Sequence, residues 1–267
     1  MSLKLLRYET EDKPFAFGGM GEIYSSTDRL SGNKVAIKTI NAQRLRIDDK
    51  TVETFMKEAE ASFRLSAQSP HIVSVLDIGF EDSTHYMAQE FIEGGDIENK
   101  LGDCTGTEAK TIIQHILNGV KTAHTNKIVH SDISPDNVLY CPKTKHYKLS
   151  DFGILKILET HLITKGQTIH QGGKPHYMPP AHYFNPDLIN EQTDFYAIGI
   201  VYHFLLSGTV LKPNFPNPPS VAANAVTIKK TNAKLHAHGI NFINNCVQSK
   251  YKTADQLIAA INLVPNQ

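Results

Sequence analysis

Hydrophobic and polar positions alternate along much of the first 92 residues, in short runs rich in β-branched side chains. Glycine and polar turn residues separate these runs, a pattern typical of antiparallel strands. Strands are predicted at 16–24, 34–39, 72–78 and 86–92. Between residues 48 and 65 the period changes to that of a helix, and Phe55, Ala59 and Phe63 are expected on one buried face.

The chain after residue 96 has a mainly helical pattern. The tetrapeptide at 93–96 contains two glycines and is predicted to be a flexible joint. Thr107 is expected to cap a long helix, with Glu108 stabilising the positively polarised end of that helix. Further helices are predicted at 195–206, 240–247 and 254–263, short strands at 138–140 and 147–149, and a long loop from 153 to about 183. A β-rich half followed by an α-rich half predicts an α+β fold or two lobes.

Composition and charge exclude several classes of protein. The 267 residues suffice for one large domain or two lobes with a real core. The formal net charge is zero, so no global field favours nucleic acid or an acidic membrane as partner. No apolar stretch reaches the ~20 residues that cross a bilayer, and the charged N-terminus does not resemble a secretory signal. Cys104, Cys141 and Cys246 lack the spacing of a disulfide framework or zinc site, which favours a reducing, cytoplasmic location.

Two motifs in the strand-rich half can contact a phosphate. The sequence AFGGMGEIY at 16–24 places glycines between two strands, where backbone N–H groups can approach an anion. The sequence VAIK at 35–38 follows on the next strand and ends in Lys38. Each motif alone is weak, because a glycine-rich hairpin is more often a simple turn and a lysine is usually solvated.

Two carboxylate motifs lie in the helical half. The sequence HSDISPDN at 130–137 offers Asp132, with Asn137 five residues later. The sequence DFG at 151–153 supplies a second carboxylate, Asp151, ahead of the long predicted loop. Either motif alone occurs by chance. Both together, in this order after the glycine-rich strand and the VAIK sequence, are not expected by chance.

The ensemble of motifs resembles that of eukaryotic-like protein kinase domains, in particular the bacterial serine/threonine kinases, over about residues 15–263. The resemblance implies a two-lobed α+β fold, with a β-rich N-lobe at 1–92 and a helical C-lobe at 93–267. It also implies ATP bound between the lobes and Mg²⁺-dependent transfer of the γ-phosphate to a serine or threonine hydroxyl of a protein substrate. Sequences at 173–180 and 194–199 resemble the substrate loop and F helix of protein kinases, which small-molecule kinases of the aminoglycoside type lack.

Roles at the nucleotide and metal sites follow from this resemblance. The residues implied to bind ATP are Gly18, Gly19, Gly21, Ile23, Ala36, Lys38, Gln89, Glu90, Ile92, Asp96 and Leu139. The glycines would cover the phosphates, Lys38 would hold two of them, and the hinge backbone at 90–92 would bond adenine. The adenine ring would lie between Ile23, Ala36 and Leu139, with Gln89 as gatekeeper and Asp96 at the ribose. Asn137 and Asp151 match the two Mg²⁺ ligands.

The catalytic residues that the resemblance implies are Asp132, Lys38, Glu58 and Lys174. Asp132 matches the aspartate that orients the substrate hydroxyl. Glu58 matches the helix glutamate that pairs with the VAIK lysine, and Glu60 is the alternative. Lys174 stands where the family has a threonine, and Ser134 where it has a lysine. We therefore predict that these two side chains have exchanged places, with the Lys174 ammonium near Asp132.

Further departures from the family pattern keep two alternatives open. Ala16 replaces the first glycine of the loop, Ser131 the arginine before the catalytic aspartate, and Ala181 the glutamate that ends the substrate loop. An inactive pseudokinase that acts as a nucleotide-binding scaffold therefore stays possible, as does a small-molecule kinase. Because Ser131 cannot pair with a phosphorylated loop, Thr164 and Thr168 are predicted to be dispensable for activity.

The remaining features are predicted to be structural. His130 is expected in the core beneath Phe152. Four other histidines lack metal-ligand spacing and are expected in loops and at the surface: His161, His170, His176 and His182. The proline-rich stretch at 212–220 is expected to be an ordered surface loop in place of the family's G helix.

Overall fold

The computed structural model describes residues 3, 5–17, 21–40, 49–81, 83–100, 102–152, 174–208 and 237–266. Several sequence predictions fall outside these residues and stay predictions. They concern Gly18, Gly19, His161, Thr164, Thr168, His170 and the stretch 212–220.

The N-terminal part forms an antiparallel sheet of six strands. They are β1 (Tyr8–Thr10), β2 (Ala16–Phe17), β3 (Gly21–Asp28), β4 (Lys34–Ile40), β5 (Val75–Glu81) and β6 (Thr84–Glu90). Their order is β1-β3-β4-β6-β5, and β2 also pairs with β3. The strand predicted at 72–78 begins only at Val75, because Ile72 instead forms an isolated bridge with Leu149 of the C-terminal part.

Helix α1 (Asp49–Ser66) packs against β5. Its buried stripe runs through Phe55, Ala59, Ser62 and Leu65, at helical spacings of three and four residues. The prediction that Phe63 shares this face is wrong, since its exposed fraction is 52%. Phe63 lies one position beyond Ser62 and is therefore turned out of the stripe.

The N-terminal segment before the glycine-rich hairpin is fastened to the sheet. The guanidinium of Arg7 in this segment donates to both carboxylate oxygens of Asp28. Its Nε lies 3.0 Å from Oδ1 and its NH2 nitrogen lies 2.9 Å from Oδ2. A third nitrogen of Arg7 lies 3.2 Å from Asp77 Oδ2, which also accepts the hydroxyl of the buried Tyr8 at 2.9 Å. The segment therefore joins the β3–β4 end of the sheet to β5.

The C-terminal part is helical around one small sheet. Its helices are α2 (Gly106–Thr125), α3 (Pro180–Phe184), α4 (Glu191–Ser207), α5 (Ala237–Val247) and α6 (Ala254–Asn262), and its strands are β7 (Val138–Cys141) and β8 (His146–Leu149). Helix α4 is buried from Thr193 to Leu206, which confirms the buried helix predicted at 195–206. Such all-round burial is expected of a helix that is apolar on every face.

The helices predicted for this part are present, but some of them begin or end at other residues than predicted. Helix α2 begins two residues earlier than predicted, because Thr105 and not Thr107 is the N-cap and accepts the amide of Glu108 at 3.1 Å. The predicted loop up to residue 183 contains α3, on which the half-buried His182 bonds Thr193 Oγ1 at 2.8 Å. His182 is therefore not a loop residue.

Two composition-based expectations can be compared with the fold. Cys104, Cys141 and Cys246 are all buried and none forms a disulfide. Within the described ranges, no helix is both long enough and apolar enough to cross a membrane.

Candidate active site

The predicted lysine on strand β4 and the predicted glutamate on helix α1 contact each other in a buried position. Lys38 Nζ lies 3.2 Å from Glu58 Oε1 and 2.7 Å from Asp151 Oδ1. The exposed fractions of the three side chains are 5% for Lys38, 1% for Glu58 and 30% for Asp151. Glu60, the alternative partner, is exposed. One ammonium therefore lies between two carboxylates that come from distant segments, α1 and the residues after β8.

The charges of this triad are strongly coupled. Burial acts to lower the pKa of the Lys38 ammonium, but the carboxylates of Asp151 and Glu58 outweigh burial and the pKa is raised. Burial acts to raise the pKa of Asp151, but Lys38 outweighs it and the pKa is lowered. Burial raises the pKa of Glu58, and Lys38 only partly offsets that effect. Lys38 thus stabilises the ionised form of Asp151 more effectively than that of Glu58.

The segment that carries Asp132 is hydrogen-bonded to a buried carboxylate on α4. Asp194 is completely buried and accepts the amides of His130 at 2.9 Å and Ser131 at 2.8 Å. The same carboxylate accepts Nε2 of His124 at 2.7 Å. These bonds hold Ser131 at a φ of 60°, a left-handed conformation that is costly for a residue other than glycine. The segment before Asp132 is therefore held by two bonds to the Asp194 carboxylate, which the third bond ties to His124 on α2.

The buried His130 connects the two carboxylate motifs. Its Nδ1 accepts the amide of Asp132 at 3.2 Å, so Nε2 carries the proton that is donated to the carbonyl of Ser150 at 2.9 Å. Its ring contacts that of Phe152, with 4.6 Å between centroids. The prediction of a core histidine beneath Phe152 is confirmed. A neutral imidazole thus couples Asp132 to the residue that precedes Asp151.

Asn137 also joins the two motifs, through side chain and backbone. Its Nδ2 donates to the carbonyl of Asp132 at 2.9 Å and to Oδ2 of that residue at 3.2 Å. Its own carbonyl accepts the amide of Ser150 at 3.0 Å. With Nδ2 used in this way, the oxygen Oδ1 of Asn137 is the atom that a metal ion would bind. Amide and carboxylate oxygens are the ligands that Mg²⁺ prefers, so Asn137 and Asp151 fit such an ion chemically.

Lys174 contacts two acidic residues that sequence reasoning did not single out. Its ammonium lies 2.6 Å from Asp136 Oδ1 and 3.4 Å from Glu98 Oε1, and 43% of its side chain is exposed. The hydroxyl of Ser134 donates to the same oxygen of Asp136 at 2.7 Å. Lys174 and Ser134 therefore meet on one carboxylate in the segment that carries Asp132. That Lys174 acts at Asp132 stays a prediction.

Most predicted nucleotide-binding positions lie on β3, β4, β6 and β7, and the predicted hinge begins at the end of β6. Gln89 and Ile92 are buried, and Ile23, Ala36 and Leu139 are half-buried, as is Asp96. The Glu90 carboxylate turns toward β8 and accepts Lys148 Nζ at 2.6 Å, and the Glu90 amide donates to the carbonyl of Ser74 at 2.9 Å. Asp96 Oδ1 accepts the amide of Glu98 at 3.0 Å.

Gly21 has a structural reason to be glycine. A Cβ atom at this position would lie 1.6 Å from the carbonyl oxygen of Thr39, so the close approach of β3 to β4 requires glycine there. The role of this residue at the phosphates is thus a separate prediction. An aromatic pair that we did not predict lies beside the hairpin, with 5.8 Å between the ring centroids of Phe15 and Phe91. The sequence signal for it was Phe15, directly before the AFGG sequence.

Comparison with known proteins identifies the family. Residues 11–261 match the family model described as protein kinase domain. The chain is 33% identical over 196 residues to "Serine/threonine-protein kinase PrkC" of Bacillus subtilis, covering 72% of this chain and 29% of that protein. It is 34% identical over 202 residues to "Probable serine/threonine-protein kinase PknB" of Lactococcus lactis, covering 74% and 31% respectively. The chain thus spans under a third of the length of these relatives.

A solved structure supports the fold. The crystal structure of a mutant Mycobacterium tuberculosis PknI kinase domain superposes with a TM-score of 0.68 at 20% identity, covering 98% of this chain and 96% of that chain. The predicted two-lobed α+β fold is therefore confirmed. With the match to the family model over almost the whole chain, this chain belongs to the protein kinase domain family.

Proposed function

We propose that this domain is an ATP- and Mg²⁺-dependent kinase that phosphorylates serine or threonine hydroxyls of proteins. The observation that carries the proposal is the buried ion-paired triad of Lys38, Glu58 and Asp151, connected through Ser150 to the segment that bears Asp132. Such preorganised charge is what phosphoryl transfer requires of a protein, because the reaction needs positioning and electrostatic stabilisation more than covalent chemistry.

Each residue of the site has a role in this proposal. Lys38, held by Glu58, would bind the α- and β-phosphates of ATP. Asp132 would accept or orient the proton of the substrate hydroxyl. Asn137 and Asp151 would hold Mg²⁺, which neutralises charge on the transferred phosphoryl group when bound. Two carboxylates against one ammonium in the triad leave an excess of negative charge, which favours such a cation.

The nucleotide would lie between the two parts of the chain. We propose residues 90–92 as the hinge and the division after residue 92 as the boundary between the lobes. This proposal is supported by the end of β6 at Glu90 and by the first helical turn of the C-terminal part at Glu98–Lys100. The adenine would contact Ile23, Ala36 and Leu139, beside Gln89.

Incubation with γ-labelled ATP, Mg²⁺ and a mixture of candidate proteins tests the activity. Lys38→Met and Asp151→Ala are each expected to reduce label transfer by about 10²–10³, as typical losses of preorganised charge do. Asp132→Asn should abolish transfer to protein. The matched control is Lys57→Met, which removes an exposed lysine of α1 and should leave the rate unchanged.

Other outcomes would identify the alternatives. Nucleotide-dependent thermal stabilisation without label transfer would indicate a pseudokinase scaffold, and label that appears only in small molecules would indicate a small-molecule kinase. Wild-type rates in both Lys38→Met and Asp151→Ala would show that the site is misassigned. Replacing Mg²⁺ by Ca²⁺ or EDTA in the same assay tests the metal.

We further propose that Lys174 supplies the cation that Ser134 lacks. The proposal is supported by the meeting of both side chains on Asp136. Lys174→Thr should reduce phosphoryl transfer at least tenfold, and adding Ser134→Lys should restore much of it. Additive losses in the double variant, or full activity of Lys174→Thr, would overturn the exchange.

A further inference from the structure

Three histidines that are distant in sequence lie in contact away from the candidate active site. His71 precedes β5, His115 lies on α2, and His146 begins β8. The ring centroids of His71 and His115 are 4.3 Å apart, and those rings are stacked. His146 lies 4.8 Å from His71 and 5.4 Å from His115. These three residues are called the histidine cluster below.

Two histidines of the cluster hydrogen-bond to the backbone of β8 along the edge that does not pair with β7. Strand β8 pairs with β7 on one side only, and on its other side the amide of Tyr147 donates to Nδ1 of His115 at 3.2 Å. The carbonyl of Tyr147 lies 3.3 Å from Nδ1 of His71. Next along the edge, Leu149 donates to the carbonyl of His71 at 2.9 Å and accepts the amide of Val73 at 2.9 Å. Two imidazoles thus continue a hydrogen-bonded edge that joins 71–73 to β8.

These contacts determine where each ring carries its proton. A peptide N–H can only donate, so Nδ1 of His115 is unprotonated and its proton is on Nε2. A peptide carbonyl can only accept, so Nδ1 of His71 is protonated. The His115 ring is therefore neutral in the folded protein. The contact of His71 fixes a proton on Nδ1, and burial, which lowers the pKa of His71, favours the neutral ring over the doubly protonated one. Metal binding at Nε2 of His115 would require loss of its contact with Tyr147, and no metal-binding arrangement of three such residues occurs in the described part of the chain.

The surroundings oppose a positive charge on the cluster. Burial lowers the pKa of His115 to about 4, with His71 and His146 adding to the effect. Burial likewise lowers the pKa of His71. The bond to the carbonyl of Tyr147 acts to raise this pKa, and the charges of His146 and Lys148 act to lower it. The charged group that faces the cluster from β8 is thus another cation, Lys148. From α2, the Glu108 carboxylate is bound to the hydroxyl of Tyr147 at 3.2 Å and to Lys100 at 2.7 Å.

We propose that the histidine cluster is an acid-sensitive clamp, in which protonation releases the outer edge of β8 from residues 71–73 and thereby lowers kinase activity. A proton on Nδ1 of His115 would face the amide of Tyr147, so that bond would be lost. A second proton on His71 would place two cations in stacked rings. The released strand leads within two residues of its end to Asp151, which is ion-paired with Lys38.

Asparagine provides a matched test of this clamp. At position 115 its Oδ1 can take the place of Nδ1 and accept from Tyr147, while at position 71 its Nδ2 can donate to the same residue. His71→Asn with His115→Asn therefore keeps both bonds and removes both titrations. The control is His238→Asn, which replaces an exposed histidine at the start of α5.

The readout is amide hydrogen exchange of Leu149 and Val73, expressed as protection relative to the unfolded chain. In the wild type and in His238→Asn, protection should fall at least about tenfold between pH 7 and pH 5, because the native rings resist protons that the unfolded chain binds. In the double asparagine variant the fall should be less than about twofold. An equal fall in all three proteins overturns the proposal, as does no fall in the wild type.

A second measurement applies if the double variant does not fold at pH 7. In the wild type, the ring signals of His115 and the amide signals of Tyr147 and Leu149 should then titrate with one common midpoint, and separate midpoints overturn the proposal. The consequence for activity rests on the proposed function. Exchange and titration need no ATP, so their result is distinguishable from failure of the kinase assignment.

Discussion

Removal of the Lys38 charge should destabilise the fold itself, in addition to impairing catalysis. Lys38→Met keeps most of the apolar stem and deletes the ammonium between Glu58 and Asp151. The carboxylates of Glu58 and Asp151 are then left without the ammonium that lay between them. Breaking a buried ion pair by removing one partner typically costs about 3–5 kcal/mol.

The exposure of the two carboxylates sets the expected value within that range. Asp151 is 30% exposed and can recruit water, whereas Glu58 is 1% exposed and has an oxygen, Oε2, without a hydrogen-bond partner among the described residues. We therefore expect a loss of about 3 kcal/mol in the free energy of unfolding. Since domains of this kind are stable by about 5–15 kcal/mol, such a loss is readily measured.

The loss should grow with pH. Burial already raises the pKa of Glu58 above its unfolded value, and Lys38 is the group that lowers it. In Lys38→Met that pKa rises further. A raised carboxyl pKa favours the folded state only below the unfolded pKa, near 4.3, and this advantage is lost as pH rises through the folded pKa. Lys38→Met should thus be more destabilised at pH 8 than at pH 5.

Urea unfolding of the wild type and four variants tests this reasoning. Glu58→Gln should stay within about 1 kcal/mol of the wild type, because Lys38 keeps Asp151 and a neutral amide costs less to bury. Adding Glu58→Gln to Lys38→Met should recover at least about half of the loss. Lys57→Met, whose exposed lysine pairs with Glu53, should change stability by less than about 0.5 kcal/mol. A loss below about 1 kcal/mol in Lys38→Met, or additive losses in the double variant, would refute the argument.

Three further predictions follow from other contacts. Asp194→Asn places an N–H₂ group against one of the two buried amides that Asp194 accepts, those of His130 and Ser131, so it should lower the free energy of unfolding by about 2 kcal/mol and phosphoryl transfer at least tenfold; unchanged urea midpoints would contradict this. Arg7→Ala should lower the melting temperature by several degrees. Arg7→Lys should not fully restore the melting temperature, because an ammonium cannot donate to both oxygens of Asp28 in the planar geometry of the guanidinium. Replacing Thr164 and Thr168 by alanine should leave the kinase rate within about threefold, and a tenfold loss would show that a phosphate there docks on another cation.

The parts of the site that could be predicted are those in which chemistry imposes a local spacing. Lys38 ends an alternating strand, Asn137 follows Asp132 by five residues, and Asp151 begins a tripeptide of its own. Each of these requirements is met within a few residues of chain, so it leaves a readable pattern. The same holds for α4, where the apolar residues at 195–202 and 204–206 occupy every face of the helix.

The parts that could not be predicted depend on which distant segments the fold brings together. Lys174 contacts Glu98 across 76 residues of sequence, and no local pattern marks that pair. The histidine cluster unites three positions that are distant in sequence, whereas sequence reasoning tested histidines for metal-ligand spacing and placed only His130 in the core. Phe63 was misplaced for a different reason. The burial stripe of α1 includes polar Ser62, which a count of apolar residues overlooks.

Strand β8 explains why contacts far from Asp132 can influence the site. Its Lys148 is buried and reaches Glu90 at the proposed hinge, at 2.6 Å. Its end leads into Ser150, whose amide is bound by Asn137 and whose carbonyl is bound by His130. Its outer edge is closed by residues 71–73 and the histidine cluster. A four-residue strand thus contacts the proposed hinge, leads to the proposed metal ligands and bonds to the connection that follows α1. Because Asp151 follows the end of β8 by two residues, we expect a shift of β8 at its outer edge to displace Asp151 as well.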